Sequence, residues 1–269
     1  MPEARLDAAL VGLGLARSRT LAARLIAEGL VSVNGVTRVK PSHRVLDGQS
    51  IVVAESDHYV SRGAHKLIAA LDAFGIDPRG RVALDAGAST GGFSQVLLER
   101  GASAVLAIDV GHGQLSSEIQ DNAALISVEG FNIRGITREW VWAQLQSPEF
   151  PKGRAADLVV ADLSFISLGL VLEALRDSVA EGADFVLLIK PQFEVGRSSI
   201  REGVVHDKGL REDAVAGVLW TAWDLGLGTA GLIPSPIVGN SGNHEYLVWL
   251  NAEVGTNPTE WMQRLAAIA

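Results

Sequence analysis

Beyond residue 61 the chain alternates short apolar runs with longer stretches of helical periodicity. The runs are Val82–Leu84, Ala104–Ile108, Leu125–Val128, Leu158–Ala161, Phe185–Ile189, Gly231–Ile233 and Leu247–Leu250. Runs this short and this continuously apolar read as strands buried on both faces, and helical stretches between them supply the crossovers of a parallel sheet. The expectation is an α/β domain, a doubly wound seven-stranded Rossmann-like sheet with helices on both sides. The closing segment NPTEWMQRLAAIA reads as a final helix with Pro258 at its start.

The first of these strands runs into Asp85-Ala86-Gly87-Ala88-Ser89-Thr90-Gly91-Gly92-Phe93. A buried strand that ends in an acid and a glycine turn, followed by a helix, is where open α/β sheets bind ligands, and glycine lets the backbone come close to the ligand. The spacing is not the G-x-G-x-x-G of dinucleotide enzymes. The pattern D-x-G-x-x-x-G resembles instead the first motif of S-adenosylmethionine methyltransferases. Asp109 ends the next strand, where a carboxylate can accept both hydrogen bonds of a ribose diol. The cofactor-binding candidates are Asp85, Gly87, Ala88, Ser89, Thr90, Gly91, Phe93, Asp109, Val110 and Asp162.

Residues 1–57 have a different character. Ser18 can cap a helix from Arg19 to about Glu28, with Gly29 closing it. Val31-Ser32-Val33-Asn34-Gly35 reads as a strand entering a hairpin turn, and Asp47-Gly48 makes a second turn before the strand Ile51–Val53. This is a small α+β unit, followed by a linker at 58–62 and the larger domain at 63–269. Net charge is −8, yet residues 1–66 carry nine Lys/Arg against six Asp/Glu, and the remainder 14 against 25. A basic module on an acidic body suggests a nucleic-acid partner. Arg5, Arg17, Arg19, Lys40 and Arg44, with Arg62 at the junction, are the candidates for phosphate contacts.

Other classes are disfavoured. With no cysteine the chain has neither a disulfide scaffold nor a thiol nucleophile, which suits a reducing cytoplasm. The six histidines are scattered without metal-ligand spacing, so no metal is expected. MPEARLDAALVG lacks the basic start of a signal peptide, and no apolar run approaches the roughly 20 residues of a membrane span.

Further charged groups stand at strand ends: Asp162 after Leu158–Ala161, Lys190 after Phe185–Ile189, and Glu245 at the start of the last strand, while Lys66 precedes the sheet. A lysine directly after a buried strand either snorkels to solvent or has its pKa lowered by its surroundings. The motifs YVSRGAHKL, LDAGASTGGF, DVGHGQL, VVADLSFISL, KPQFEVG, EGVVHD and SGNHEY resemble the TlyA family, and the resemblance covers nearly the whole chain. RLDAALVGLGLARSR and LIAEGLVSVNG resemble its S-four type RNA-binding domain. The rest resembles FtsJ-like methyltransferases.

The resemblance implies S-adenosylmethionine-dependent 2′-O-methylation of ribosomal RNA, of cytidines in 23S and 16S rRNA, within ribosomal subunits. It also implies a catalytic set Lys66, Asp162, Lys190 and Glu245, in which the lysines contact the hydroxyl and the acids orient them. The chain departs from the family at the linker, where Asp57-His58-Tyr59-Val60 has Tyr for the usual Trp and no preceding Arg. A membrane-lytic protein and a nicotinamide oxidoreductase fit the pattern poorly. A non-catalytic ribosome-assembly factor is the leading alternative.

Overall fold

The computed structural model describes residues 4–27, 29–53, 58–146, 153–196, 203–239 and 242–269, with Arg24 described by its backbone alone. Glu28, Asp57 and the first residues of the EGVVHD and SGNHEY motifs, Glu202 and Ser241, lie outside these residues. The chain divides into two compact units, Met1–Tyr59 and Val60–Ala269.

The first unit runs β1 (Ala4–Arg5), α1 (Leu6–Gly12), α2 (Arg19–Ala27), β2 (Val31–Val33), β3 (Val36–Thr37), β4 (Arg44–Val45) and β5 (Ile51–Val53). Ser18 Oγ accepts from the Leu21 amide, 3.2 Å away, at the start of α2. Asn34 and Gly35 both take positive φ, 51° and 76°, the turn a tight β2–β3 hairpin requires. Leu6, Leu10, Ala22, Ile26, Val31 and Val33 form a core between the two helices and the β3-β2-β5 sheet. The two-residue pair β1–β4, too short to show any periodicity, is an addition to the sequence reading.

The second unit runs α3 (Gly63–Phe74), β6 (Val82–Ala86), α4 (Gly92–Glu99), β7 (Ala104–Ile108), α5 (Ser117–Gln120), β8 (Leu125–Val128), α6 (Arg138–Gln144), β9 (Leu158–Ala161) and α7 (Leu172–Ser178). It continues with β10 (Asp184–Ile189), α8 (Pro191–Glu194), α9 (Lys208–Asp224), β11 (Gly228–Pro234), β12 (Tyr246–Asn251) and α10 (Met262–Ile268). The seven strands form one sheet in the order β11-β12-β10-β9-β6-β7-β8.

The wholly parallel expectation needs one correction: β12 is antiparallel to both β10 and β11. The connection 235–245 contains no α-helix among its described residues, so it cannot make the crossover that a parallel return demands. Leu84, Ala86, Leu106, Ile108, Val159 and Leu187 pack with α6, α7, α9 and α10 on one face. Alternate residues face the other way, toward α3 and α4. Order reverses beside β6, which pairs with β7 on one side and β9 on the other. The carboxyl ends of these strands therefore flank a crevice.

Candidate functional site

A cavity of about 520 Å³ opens at these strand ends, lined by Gly87, Ser89, Asp109, Val110 and Asp162 among others. Its floor is a tightly built turn. Gly87 takes φ +84°, and a β-carbon there would stand 3.0 Å from the Asp162 carbonyl oxygen. Gly91 takes φ +92°, and a β-carbon there would collide with Ile119. Ser89 holds φ 50° without being glycine. Its amide donates to Asp109 Oδ2 at 2.8 Å, and the Gly111 amide donates to Asp109 Oδ1 at 2.7 Å. Two amides thus fix the carboxylate plane, while an ionised carboxylate offers about four acceptor directions, leaving room for a diol.

The remaining turn residues stand behind the cavity. Ala88, Thr90, Gly91 and Phe93 are outside its lining. Asp85 is fully buried, accepts from Ser94 Oγ of α4 at 2.6 Å, and keeps Oδ1 without a partner. Burial away from water pushes its carboxyl up to about 7, against the opposing hydrogen bond from Ser94. Asp162 and Asp109, both negative, act in the same upward direction.

The four charged residues at the strand ends form one chain of contacts. Lys66 Nζ donates to Glu245 Oε2 at 2.7 Å and lies 3.6 Å from Asp162 Oδ2. Lys190 Nζ lies 2.6 Å from Asp162 Oδ1 and donates to Ser164 Oγ at 2.9 Å. Both lysine side chains are 10% exposed. Each element has its own job here. α3 carries Lys66 one turn from its start, Asp162 directly follows β9, and Pro191 opens α8 directly after Lys190. Glu245 has room for this position because residue 239 is glycine: a β-carbon there would strike its Oε1.

Several residues of the site escaped the sequence reading. Phe131, Asn132 and Ile133 line the cavity from beyond β8. The rule that ligands sit at carboxyl ends of strands pointed to this loop. Ser164 and Phe165 follow Asp162, and Phe165 takes φ +65° with 92% of its surface exposed, its ring 5.3 Å from that of Phe193. Glu194, pushed up by burial, ties the two segments together by accepting from Ser167 Oγ at 2.5 Å and the Leu168 amide at 2.9 Å.

A second cavity, about 370 Å³, opens at the other end of the sheet beside Arg138 and Arg176. Both guanidiniums donate to backbone carbonyls there, and none of the motif residues reaches it.

In the first unit Arg5, Arg17, Arg19, Lys40 and Arg44 are all exposed. Arg62 belongs to the second unit, partly buried at the cap of α3. Tyr59 places its ring 4.2 Å from that of His58. Among the described residues no helix is long and apolar enough to cross a membrane.

Comparison with known proteins agrees with this architecture. Residues 59–252 match the FtsJ-like methyltransferase family, and residues 4–51 match the S4 domain. The 16S/23S rRNA (cytidine-2′-O)-methyltransferase TlyA of Mycobacterium tuberculosis is 49% identical over 253 residues, 93% of this chain and 90% of that protein. Hemolysin A of Brachyspira hyodysenteriae is 36% identical, over 90% of this chain and 98% of its own. A solved structure from Streptococcus thermophilus that bears the hemolysin name superposes with a TM-score of 0.74 at 34% identity, covering 99% of this chain and 95% of that one. With an S4 unit ahead of an FtsJ-like methyltransferase unit, and relatives matched across nearly the full length of both, the chain belongs to the TlyA family.

Proposed function

We propose that this protein transfers the methyl group of S-adenosylmethionine to ribose 2′-hydroxyls of ribosomal RNA, and that it does so in the cytoplasm. The targets are cytidines of 23S and 16S rRNA, the substrates for which the Mycobacterium tuberculosis relative is named, and in this reading they are met within ribosomal subunits. One observation carries the reading: the contact chain Glu245–Lys66–Asp162–Lys190 runs through Asp162, a residue that lines the same cavity as Asp109.

The cavity suits the cofactor. Asp109, its plane set by two amides, would take the ribose diol. Gly87, Ser89 and Val110 would meet the cofactor from the lining, and Ile108, Phe131 and Leu163 offer apolar surface for a base. Ala88, Thr90, Gly91, Phe93 and Asp85 would hold the turn from behind. S-adenosylmethionine, when bound, supplies an activated sulfonium methyl group.

What the chain must add is orientation of a poorly nucleophilic hydroxyl and removal of its proton. Lys190 is the base in this reading. Ser164 and Asp162 hold its amine in place. Lys66, paired with Glu245, is placed to stabilise negative charge developing on the oxygen. The RNA-binding domain in this reading is residues 1–57 of the first unit, with Arg5, Arg17, Arg19, Lys40 and Arg44 on phosphates and Arg62 at the end of the 58–62 linker.

The test is incubation with methyl-labelled S-adenosylmethionine and unmodified ribosomal subunits, wild type beside Lys190→Ala. Label recovered from rRNA as an alkali-resistant dinucleotide, and lost in the variant, supports the reaction and the site. Cofactor binding without label on either subunit removes the rRNA assignment.

A further inference from the structure

The first unit contains a charged arrangement that cuts against its own stability. β1 and β4 pair so that Arg5 stands directly opposite Arg44. Directly opposed residues of an antiparallel pair share a face, and like charges there are unfavourable. Both arginines are exposed, while Val45 points into the core. Beside them sits Asp7, whose side chain is only 6% exposed. It accepts from Arg5 Nε at 3.0 Å and Arg5 Nη2 at 3.1 Å, a two-pronged fork, and from Arg19 Nη2 at 2.9 Å. Its Oδ1 also accepts from the Ala8 amide at 2.9 Å. The two arginines hold this carboxyl down at about 2, Arg5 contributing most. The same corner ties in the Lys40 loop, since the Leu6 and Asp7 amides donate to the carbonyls of His43 and Pro41.

We infer that Asp7 is a positioning residue of the RNA interface: one buried carboxylate fixes Arg5 and Arg19 side by side, next to Arg44, as a rigid guanidinium surface for the RNA phosphate backbone. This rests on the proposed RNA-binding role of the first unit and gives that role a geometry. Arg5 keeps 43% and Arg19 61% of its side-chain surface exposed. Each guanidinium has five N–H donors, so donors remain for phosphate oxygens after Asp7 is satisfied. Long cationic side chains lose much rotamer freedom on binding, and prior fixation removes part of that cost.

The consequence runs against simple charge counting. Asp7→Asn adds a positive unit to a surface that meets a polyanion, and bulk electrostatics alone predicts tighter binding. Loss of the fork predicts weaker binding.

The experiment uses the full chain and deproteinised 23S rRNA in filter binding across 50–200 mM KCl, with thermal melting of each variant alongside. Asp7→Asn is expected to bind several-fold more weakly at every salt concentration, with a shallower dependence of log affinity on log salt. Arg5→Gln, Arg19→Gln and Arg44→Gln are each expected to lower that slope by roughly one. Equal or tighter binding by folded Asp7→Asn, with the arginine variants still weakened, overturns the positioning role and leaves the interface standing. Unchanged binding by all three arginine variants overturns the interface and the positioning role with it. Should Asp7→Asn fail to fold, Asp7→Glu takes its place: the charge stays but moves out by one methylene. Weaker binding then supports the inference, and wild-type affinity overturns it.

Discussion

Oδ1 of Asp162 lies 2.6 Å from the Lys190 amine, while Oδ2 of the same carboxylate faces Lys66 at 3.6 Å. One acid therefore orients both lysines, and the three groups should behave as a unit. Lys190→Ala is expected to lower the single-turnover rate about 10²–10⁴-fold, the range for a positioned proton acceptor. Asp162→Asn should cost a comparable amount, because an amide neither aligns two ammonium groups nor balances them. The double variant should be little worse than the worse single one. Multiplicative losses would mean that the two residues act independently.

Glu245 can be displaced without altering any of the four charged residues. A β-carbon at Gly239 would occupy the place of Glu245 Oε1. The carboxylate is the end of a flexible side chain and can swing aside, but only by giving up its hydrogen bond to Lys66. Gly239→Ala should leave the melting temperature within a few degrees of wild type, since little core packing is lost, yet lower turnover at least tenfold. Wild-type turnover in that variant would show that the Lys66–Glu245 contact is dispensable.

The parts of the fold that sequence made legible are those whose local chemistry is set by burial. Apart from Asp85 and Asp184, β6, β7, β9 and β10 are apolar along their length because helices cover both faces. The direction of β12 was not legible, because Tyr246–Asn251 is equally apolar whichever way it runs. Asp109, Asp162 and Lys190 stood out as charges at the ends of apolar runs. Phe131 and Phe165 did not, because an aromatic residue in a loop carries no periodicity, and its exposure is a property of the folded chain. Asp7, in the first turn of α1, carries nothing in the sequence that marks it out from other acids. Its fork on Arg5 and its reach to Arg19, twelve residues away, exist only after α1 and α2 pack.

Asp85 makes stability depend on pH. Its folded carboxyl sits at about 7, against about 3.9 in an unfolded chain. Below about pH 4 both states hold the proton and the group costs nothing. As pH rises from there the unfolded state ionises first, and stability falls until the folded carboxyl also ionises near 7. The slope approaches about 1.4 kcal/mol per pH unit within that window. Asp85→Asn keeps an acceptor for Ser94 Oγ and removes the ionisation. Urea unfolding at pH 6 and pH 8 should show the variant gaining on wild type at the higher pH. A constant difference between the two proteins at both pH values would rule out Asp85 as the titrating group.

Phe165 separates stability from activity most sharply. It takes φ +65°, a left-handed backbone that a bulky residue adopts at a cost of roughly 1–2 kcal/mol. With 92% of its surface exposed it recovers little of this by burial. Its ring lines the cavity mouth, 5.3 Å from Phe193, whose ring in turn lies 5.9 Å from the Lys190 amine. An exposed aromatic face held beside the reacting groups suits a nucleotide base, and stacking of that kind contributes about 1–3 kcal/mol per base. Phe165→Gly removes both the strain and the ring. The variant should therefore be no less stable than wild type, even after the added entropy of glycine in the unfolded chain, and should raise KM for rRNA at least tenfold with cofactor affinity less affected. Phe165→Trp should keep most of the RNA affinity. A clear loss of stability in Phe165→Gly would show that the ring is a packing element after all, and an unchanged KM would remove it from the substrate site.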